Sequence, residues 1–174
     1  KKPLIIAGGG MRYSKAEEAV AKFAAERGIP VVETIAGKGG LTHYHPVHAG
    51  PIGIIGSTSA NALAAEADVI LAIGTRLQDF TTGSWTAFSR DARFISINAA
   101  RFDALKHRAL AVVGDALEGV EELDSALGAW KAPAGHLPHA KALVAEWDAL
   151  LDDHQTPTNA PIPTSSWRRC RPRR

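Results

Sequence analysis

Short aliphatic runs, each closed by glycine or a small polar residue, alternate with helix-length stretches along this chain, and that alternation restricts the fold more than any other feature. Residues 2–7 (KPLIIA) run into Gly8-Gly9-Gly10. Ser14 then opens SKAEEAVAKFAAERGI, in which Ala16, Ala19, Val20, Phe23 and Ala24 recur at helical spacing. Ser14 with Glu17 has the spacing of a capping box, and Gly28 stops the helix. Residues 30–34 form a second strand, so the unit has the length of a parallel crossover. Residues 35–57 read as loop, with a short strand near 48–52. An alanine-rich helix over 57–67 then precedes DVILAI at 68–73, the clearest strand in the chain. Strands follow at 94–98 and 109–113, a helix at 116–127, a Pro/Gly/His linker and a last helix at 139–152, with Leu143, Trp147 and Leu150 on one face. The expected fold is α/β: a three-layer αβα, doubly wound parallel sheet, Rossmann-like, with the glycine-bearing strand ends along one edge.

Composition narrows the function classes. Hydrophobic residues make up 45% of the 174, which suits a domain with its own core, and no apolar run approaches the length of a membrane span. A lone cysteine, Cys170, excludes an internal disulfide and a cysteine-based zinc site, and points to a cytoplasmic setting. The net charge of +2 comes from RRCRPRR at the end of the chain, which holds five arginines and no acid. Without it the body is mildly acidic. A short basic tail lacking interleaved aromatics gives only unspecific attraction, so nucleic acid is not an expected partner.

Candidate chemistry falls on the strand-end loops. Gly8-Gly9-Gly10 before a helix would let backbone amides approach a phosphate, although a tight strand-to-helix turn explains the same glycines. Asn98 stands after a strand where an acid would normally hold a ribose. His43, His45 and His48 lack a carboxylate at ligand spacing and read as exposed or loop-stapling residues. Asp79 and Asp115 are isolated carboxylates, so no acid/base pair is visible and no catalytic residue is assigned. The stretch GTRLQDFTTGSW at 74–85 is read as a loop whose Arg76 and Asp79 tie loops together at the sheet's carboxyl edge or pack on a neighbouring domain, shaped by Thr81, Thr82 and Gly83, and anchored by Trp85.

The order KPLIIAGGG, then ALAAEADVILAIGTRL, resembles the central domain of thiamine-diphosphate-dependent enzymes of the acetolactate synthase and pyruvate oxidase type. VVETIAGKGGL, HPVHAGPIGIIGSTSANALAAEAD and GTRLQDFTTGSW are most similar to a branch of that superfamily that hydrolyses a carbon–carbon bond of a cyclic 1,2-dione in inositol catabolism, yielding a deoxy-glucuronate. The resemblance covers about residues 1–154 and implies a central domain of the DHS-like NAD/FAD-binding type over 1–130, a linker and helix over 131–154, and a disordered or aberrant tail over 155–174. It further implies that thiamine diphosphate and magnesium belong to other domains of a longer chain. Gly114-Asp115-Ala116 departs from the family's magnesium-binding motif.

In flavin-bearing relatives the central domain holds FAD, and the positions carried over are Gly8, Gly9, Gly10, Gly74, Arg76, Asn98 and Asp115, with Asn98 departing from the family's acid. The dione-cleaving branch is not expected to need flavin, so the FAD or ADP pocket is expected to be empty, vestigial or structural. The expectation is therefore an inactive central piece of a homo-oligomeric cytoplasmic enzyme whose partners are its other domains. The alternatives are a stand-alone FAD-, ADP- or NAD-binding module and an acetolactate-synthase-like central domain.

Overall fold

The computed structural model describes residues 1–154; the expectation about the tail lies outside the described residues. Six parallel strands, β1 (Pro3–Ala7), β2 (Val31–Glu33), β3 (His48–Pro51), β4 (Val69–Ile73), β5 (Arg93–Asn98) and β6 (Leu110–Val113), form one sheet in the order β3-β2-β1-β4-β5-β6. The α-helices among the described residues are α1 (Gly9–Tyr13), α2 (Glu17–Arg27), α3 (Thr58–Glu66), α4 (Asp79–Thr82), α5 (Arg101–Ala104), α6 (Ala116–Leu127) and α7 (His136–His154). The chain builds outward from β1 through β2 to β3, then crosses back to β4 on the other side of β1. This reversal opens a crevice between the carboxyl ends of β1 and β4.

Side chains on a strand alternate between faces, and β1 shows it directly. Ile5 and Ala7 join Val20, Phe23 and Val120 in a core under α2 and α6, while Leu4 and Ile6 join Ala60, Leu63 and Ala140 under α3 and α7. Both faces of the central strands are buried, the reason their sequences are continuous aliphatic runs rather than alternating ones. The sheet has the expected three layers. Its weak side is the edge strand β6, where Leu110 is 68% exposed and Val113 is also exposed.

Several local expectations are corrected. Gly9 and Gly10 are the first residues of α1 rather than an open loop, and Ser14 is the C-cap of α1 instead of the N-cap of α2. Lys15 takes a positive φ after α1, so α2 begins at Glu17 behind Ala16, without a side-chain cap; Glu17 and Glu18 complement the helix dipole in its first turn. The linker before the last helix is shorter than its prolines suggest, because α7 starts at His136 and contains Pro138. Proline is tolerated in a first turn, where its missing N–H has no helical acceptor. Leu143 packs on the α3 side, but Leu150 is exposed and does not share a buried face with it. His136 Nε2 donates to the Pro3 carbonyl at 2.7 Å and pins the start of α7 to β1.

Candidate functional site

All seven positions carried over from flavin-bearing relatives lie at the carboxyl edge of the sheet, Asn98 as the last residue of β5, Gly9 and Gly10 in the first turn of α1, and the others in the connections after β1, β4 and β6. The loops after β1 and β4 touch through their backbones. The Gly8 amide donates to the Ile73 carbonyl at 2.8 Å and the Gly10 amide to the Gly74 carbonyl at 2.9 Å. A β-carbon on Gly10 would lie 2.7 Å from the Gly74 Cα, and one on Gly74, whose φ is +58°, would lie 2.5 Å from the Met11 nitrogen. Close passage of two backbones therefore accounts for these glycines, and the amides of Gly8 and Gly10 are engaged by β4.

Asn98 is buried and both ends of its amide are engaged. Nδ2 donates to the Thr75 carbonyl at 3.0 Å, and Oδ1 accepts from the Ala100 amide at 2.9 Å. Its side chain therefore ties the end of β5 to the loop after β4. Asp115 is the N-cap of α6, accepting from the Leu117 and Glu118 amides at 2.8 and 3.4 Å. The hydrogen bond with Ser14, then that from Leu117, holds its carboxyl below the ordinary aspartate value of 3.8. Ser14 Oγ also accepts from the Ala116 amide, which joins α1 to the start of α6. Arg76 is 70% exposed on its side chain and reaches Asp103 Oδ2 at 3.7 Å.

Asp79 is exposed in the first turn of α4, without an ion-pair partner among the described residues, so of its two expected roles the tie within this chain is not formed by an ion pair. Trp85 does anchor that stretch, with ring centroids 5.6 Å from Phe88 and 5.4 Å from Phe94.

The sequence reading does not single out Glu33, although an acid closing the buried run VVE is its visible signal. Glu33 is 3% exposed at the end of β2. Its carboxylate accepts from the Leu41 amide at 2.9 Å and the Gly39 amide at 3.3 Å, and lies 3.2 Å from His48 Nε2. Burial pushes this carboxyl up, but the His48 hydrogen bond, the Leu41 and Gly39 amides and the charge of His48 outweigh it. The result lies below the ordinary glutamate value of 4.5. His48 thus closes the 38–47 loop onto Glu33 from the histidine cluster, and among the described residues no three His, Cys, Asp or Glu side chains gather as a metal site.

The donor set fits neither cofactor. A nucleotide diphosphate needs amides aimed outward and a carboxylate free for its ribose. Here the Gly8 and Gly10 amides, the Asn98 amide group and the Asp115 carboxylate are engaged within the chain. Thiamine diphosphate with a divalent cation needs a carboxylate free to ligate the metal, and Asp115 caps α6 instead. What the arrangement does is lock four strand ends together.

The family model described as the thiamine pyrophosphate enzyme central domain matches residues 1–123. A protein of Geobacillus thermodenitrificans named 3D-(3,5/4)-trihydroxycyclohexane-1,2-dione hydrolase is 46% identical over 136 residues, covering 78% of this chain and 21% of that protein. One of the same name from Clostridium perfringens is 45% identical over 130 residues, covering 74% of this chain and 20% of that protein. Another from Clostridium tetani is 39% identical over 153 residues, covering 87% and 24%. The chain spans about a fifth of the length of these curated relatives.

Proposed function

The chain belongs to the thiamine pyrophosphate enzyme central-domain family, and on that premise we propose that it serves as the central domain of a dione hydrolase of the kind its relatives are named for. The substrate is then a trihydroxycyclohexane-1,2-dione, opened by hydrolysis of a ring carbon–carbon bond. The observation that carries this reading is the identity of 46% and 45% spread over three quarters of the chain with proteins so named. Thiamine diphosphate and magnesium are held by other domains of the full polypeptide, which works as a homo-oligomer in the cytoplasm. No helix of the described residues is long and apolar enough to cross a membrane.

Within that polypeptide, residues 1–130 form the α/β body and 131–154 the linker and closing helix. Gly8, Gly9, Gly10, Gly74, Arg76, Asn98 and Asp115 hold the carboxyl edge in shape, the role favoured by their internal hydrogen bonds, rather than gripping FAD or ADP. The chain contributes a rigid platform and no catalytic group.

The test is an assay of dione ring opening, with thiamine diphosphate and magnesium, on this chain and on a polypeptide of the relatives' length that contains it. Turnover by the long chain alone is the expected result. Turnover by the short chain, or acetolactate formation from pyruvate by the long one, would overturn the assignment. Thermal shift with FAD, ADP and NAD addresses the nucleotide-module alternative: a saturable rise that Arg76→Ala abolishes would establish that alternative in its place.

A further inference from the structure

The amino end of the sheet, opposite the seven carried-over positions, holds a cavity. It has a volume of about 900 Å3 and opens around the first residues of β1, β4, β5 and β6, where Pro3, Val69, Arg93 and Leu110 stand. That volume is within the range of small-molecule sites. Its walls come from both faces of the sheet: Phe23 and Leu127 from the α2/α6 side, Trp85, Phe88 and Phe94 from the α3/α7 side. Phe88 and Phe94 meet edge to face at 5.1 Å, and the Trp85 ring lies 3.4 Å, centroid to centroid, from His107. Burial first, then the neighbouring Lys106 charge, keeps the His107 pKa below its ordinary value of 6.5, so its ring adds a neutral aromatic surface.

Charge and backbone geometry set this cavity apart from a packing defect. Lys1, Arg90, Arg93 and Arg108 line it, and among the described residues no aspartate or glutamate does. None of these four cations is in an ion pair among the described residues. Trp85, His107 and Arg108 each hold a positive φ, at 69°, 58° and 58°, a conformation costly for residues with side chains. Three of the six non-glycine residues in that conformation among the described residues therefore line one cavity. The surrounding structure maintains this strain in two contacting aromatic residues, Trp85 and His107, and an arginine that line the same cavity.

We propose that this amino-edge cavity is a binding site for a small aromatic organic anion, its flat body seated among Trp85, Phe88 and Phe94 and its carboxylate, sulfonate or phosphate met by Arg93 and Arg108. Aromatic faces favour a flat ring over an acyl chain, and arginines without acidic partners favour an anion over a neutral or cationic guest. The site lies across the sheet from the seven carboxyl-edge positions and stands apart from the hydrolase reading.

The test is a fluorescence titration of the 174-residue chain with 8-anilinonaphthalene-1-sulfonate and with its uncharged counterpart N-phenyl-1-naphthylamine, after near-ultraviolet circular dichroism has shown fixed tertiary packing. One saturable sulfonate site is expected, with the neutral probe weaker by about tenfold or more. Arg93→Glu combined with Arg108→Glu should weaken the sulfonate by about tenfold or more and leave the neutral probe unchanged. Both arginines are exposed, so the urea midpoint should hold. If that double variant does not fold, Arg108→Gln must itself weaken sulfonate binding by about threefold. Indole-3-acetate should displace the sulfonate at concentrations where laurate does not. Absence of a saturable site, equal affinity for the two probes, indifference to loss of the arginine charges, or preferential displacement by laurate would each overturn the proposal.

Discussion

At the carboxyl end of the sheet, Gly8, Gly10, Asn98 and Asp115 direct their polar groups into the chain itself, whereas at the amino end Arg90, Arg93 and Arg108 stand around an aromatic cavity without acidic partners among the described residues. Open α/β sheets are expected to hold ligands at the carboxyl end, because the strand order reverses there and helix N-termini converge on the crevice. The comparison shows that topology supplies only the crevice. A ligand also needs unengaged donors, and in this chain the Gly8 and Gly10 amides are taken up by backbone contact with Ile73 and Gly74.

Substitution at the closed end should reveal how tightly it is built. Gly74→Val places a branched side chain at positive φ against the Met11 nitrogen, and should cost more than about 3 kcal/mol. In thermal unfolding that is a fall of at least about 6 °C for a chain of this size; a smaller fall would mean that the crevice has slack. Arg27→Ala addresses the wall that leads to the open end. Arg27 is buried, pairs with Asp124 and donates to the carbonyls of Asp124, Gly128 and Trp130, and its loss should cost about 2–4 kcal/mol in urea unfolding.

Asn98→Asp keeps the acceptor for the Ala100 amide but sets a carboxylate oxygen against the Thr75 carbonyl. A loss of about 1–3 kcal/mol is expected near neutrality, shrinking at acid pH as protonation restores a donor. Improved FAD binding by that variant would reopen the carboxyl edge as a ligand site.

Glu33 sharpens the contrast through pH. Its folded pKa lies below the ordinary 4.5, so its stabilising contribution is present above that value and disappears as the pH falls from there through the lower folded value. Urea midpoints measured from pH 6 downward should fall more steeply for the native chain than for Glu33→Gln, and parallel curves would remove Glu33 from the account of the edge. Arg76→Ala should have the smallest effect, under about 0.5 kcal/mol, because its pair with Asp103 is long and solvated.

The fold was legible because its signals are local and repeated. Aliphatic runs such as VILAI at 69–73 are buried on both faces and can hardly be anything but central parallel strands, and Ser57 and Asp115 do mark helix starts. The local signal failed at Ser14, because a left-handed residue at Lys15 moved the helix start, and at Pro138, which a first turn accepts. Site positions were legible as places on the carboxyl edge and not as roles. GGG and Asn98 read alike whether their amides face a phosphate or a neighbouring strand.

The sequence by itself determined the parallel sheet, its three layers and the family, since each rests on the order of residues along short windows. Only the tertiary structure decided that the glycines serve backbone contact, that Glu33 and His48 meet across 15 positions, and that the arginines at 90, 93 and 108 lie around one cavity with no acid in its lining among the described residues. The reason is that hydrogen-bond satisfaction and enclosed volume depend on groups far apart in the chain, which only the packed sheet brings within reach of one another.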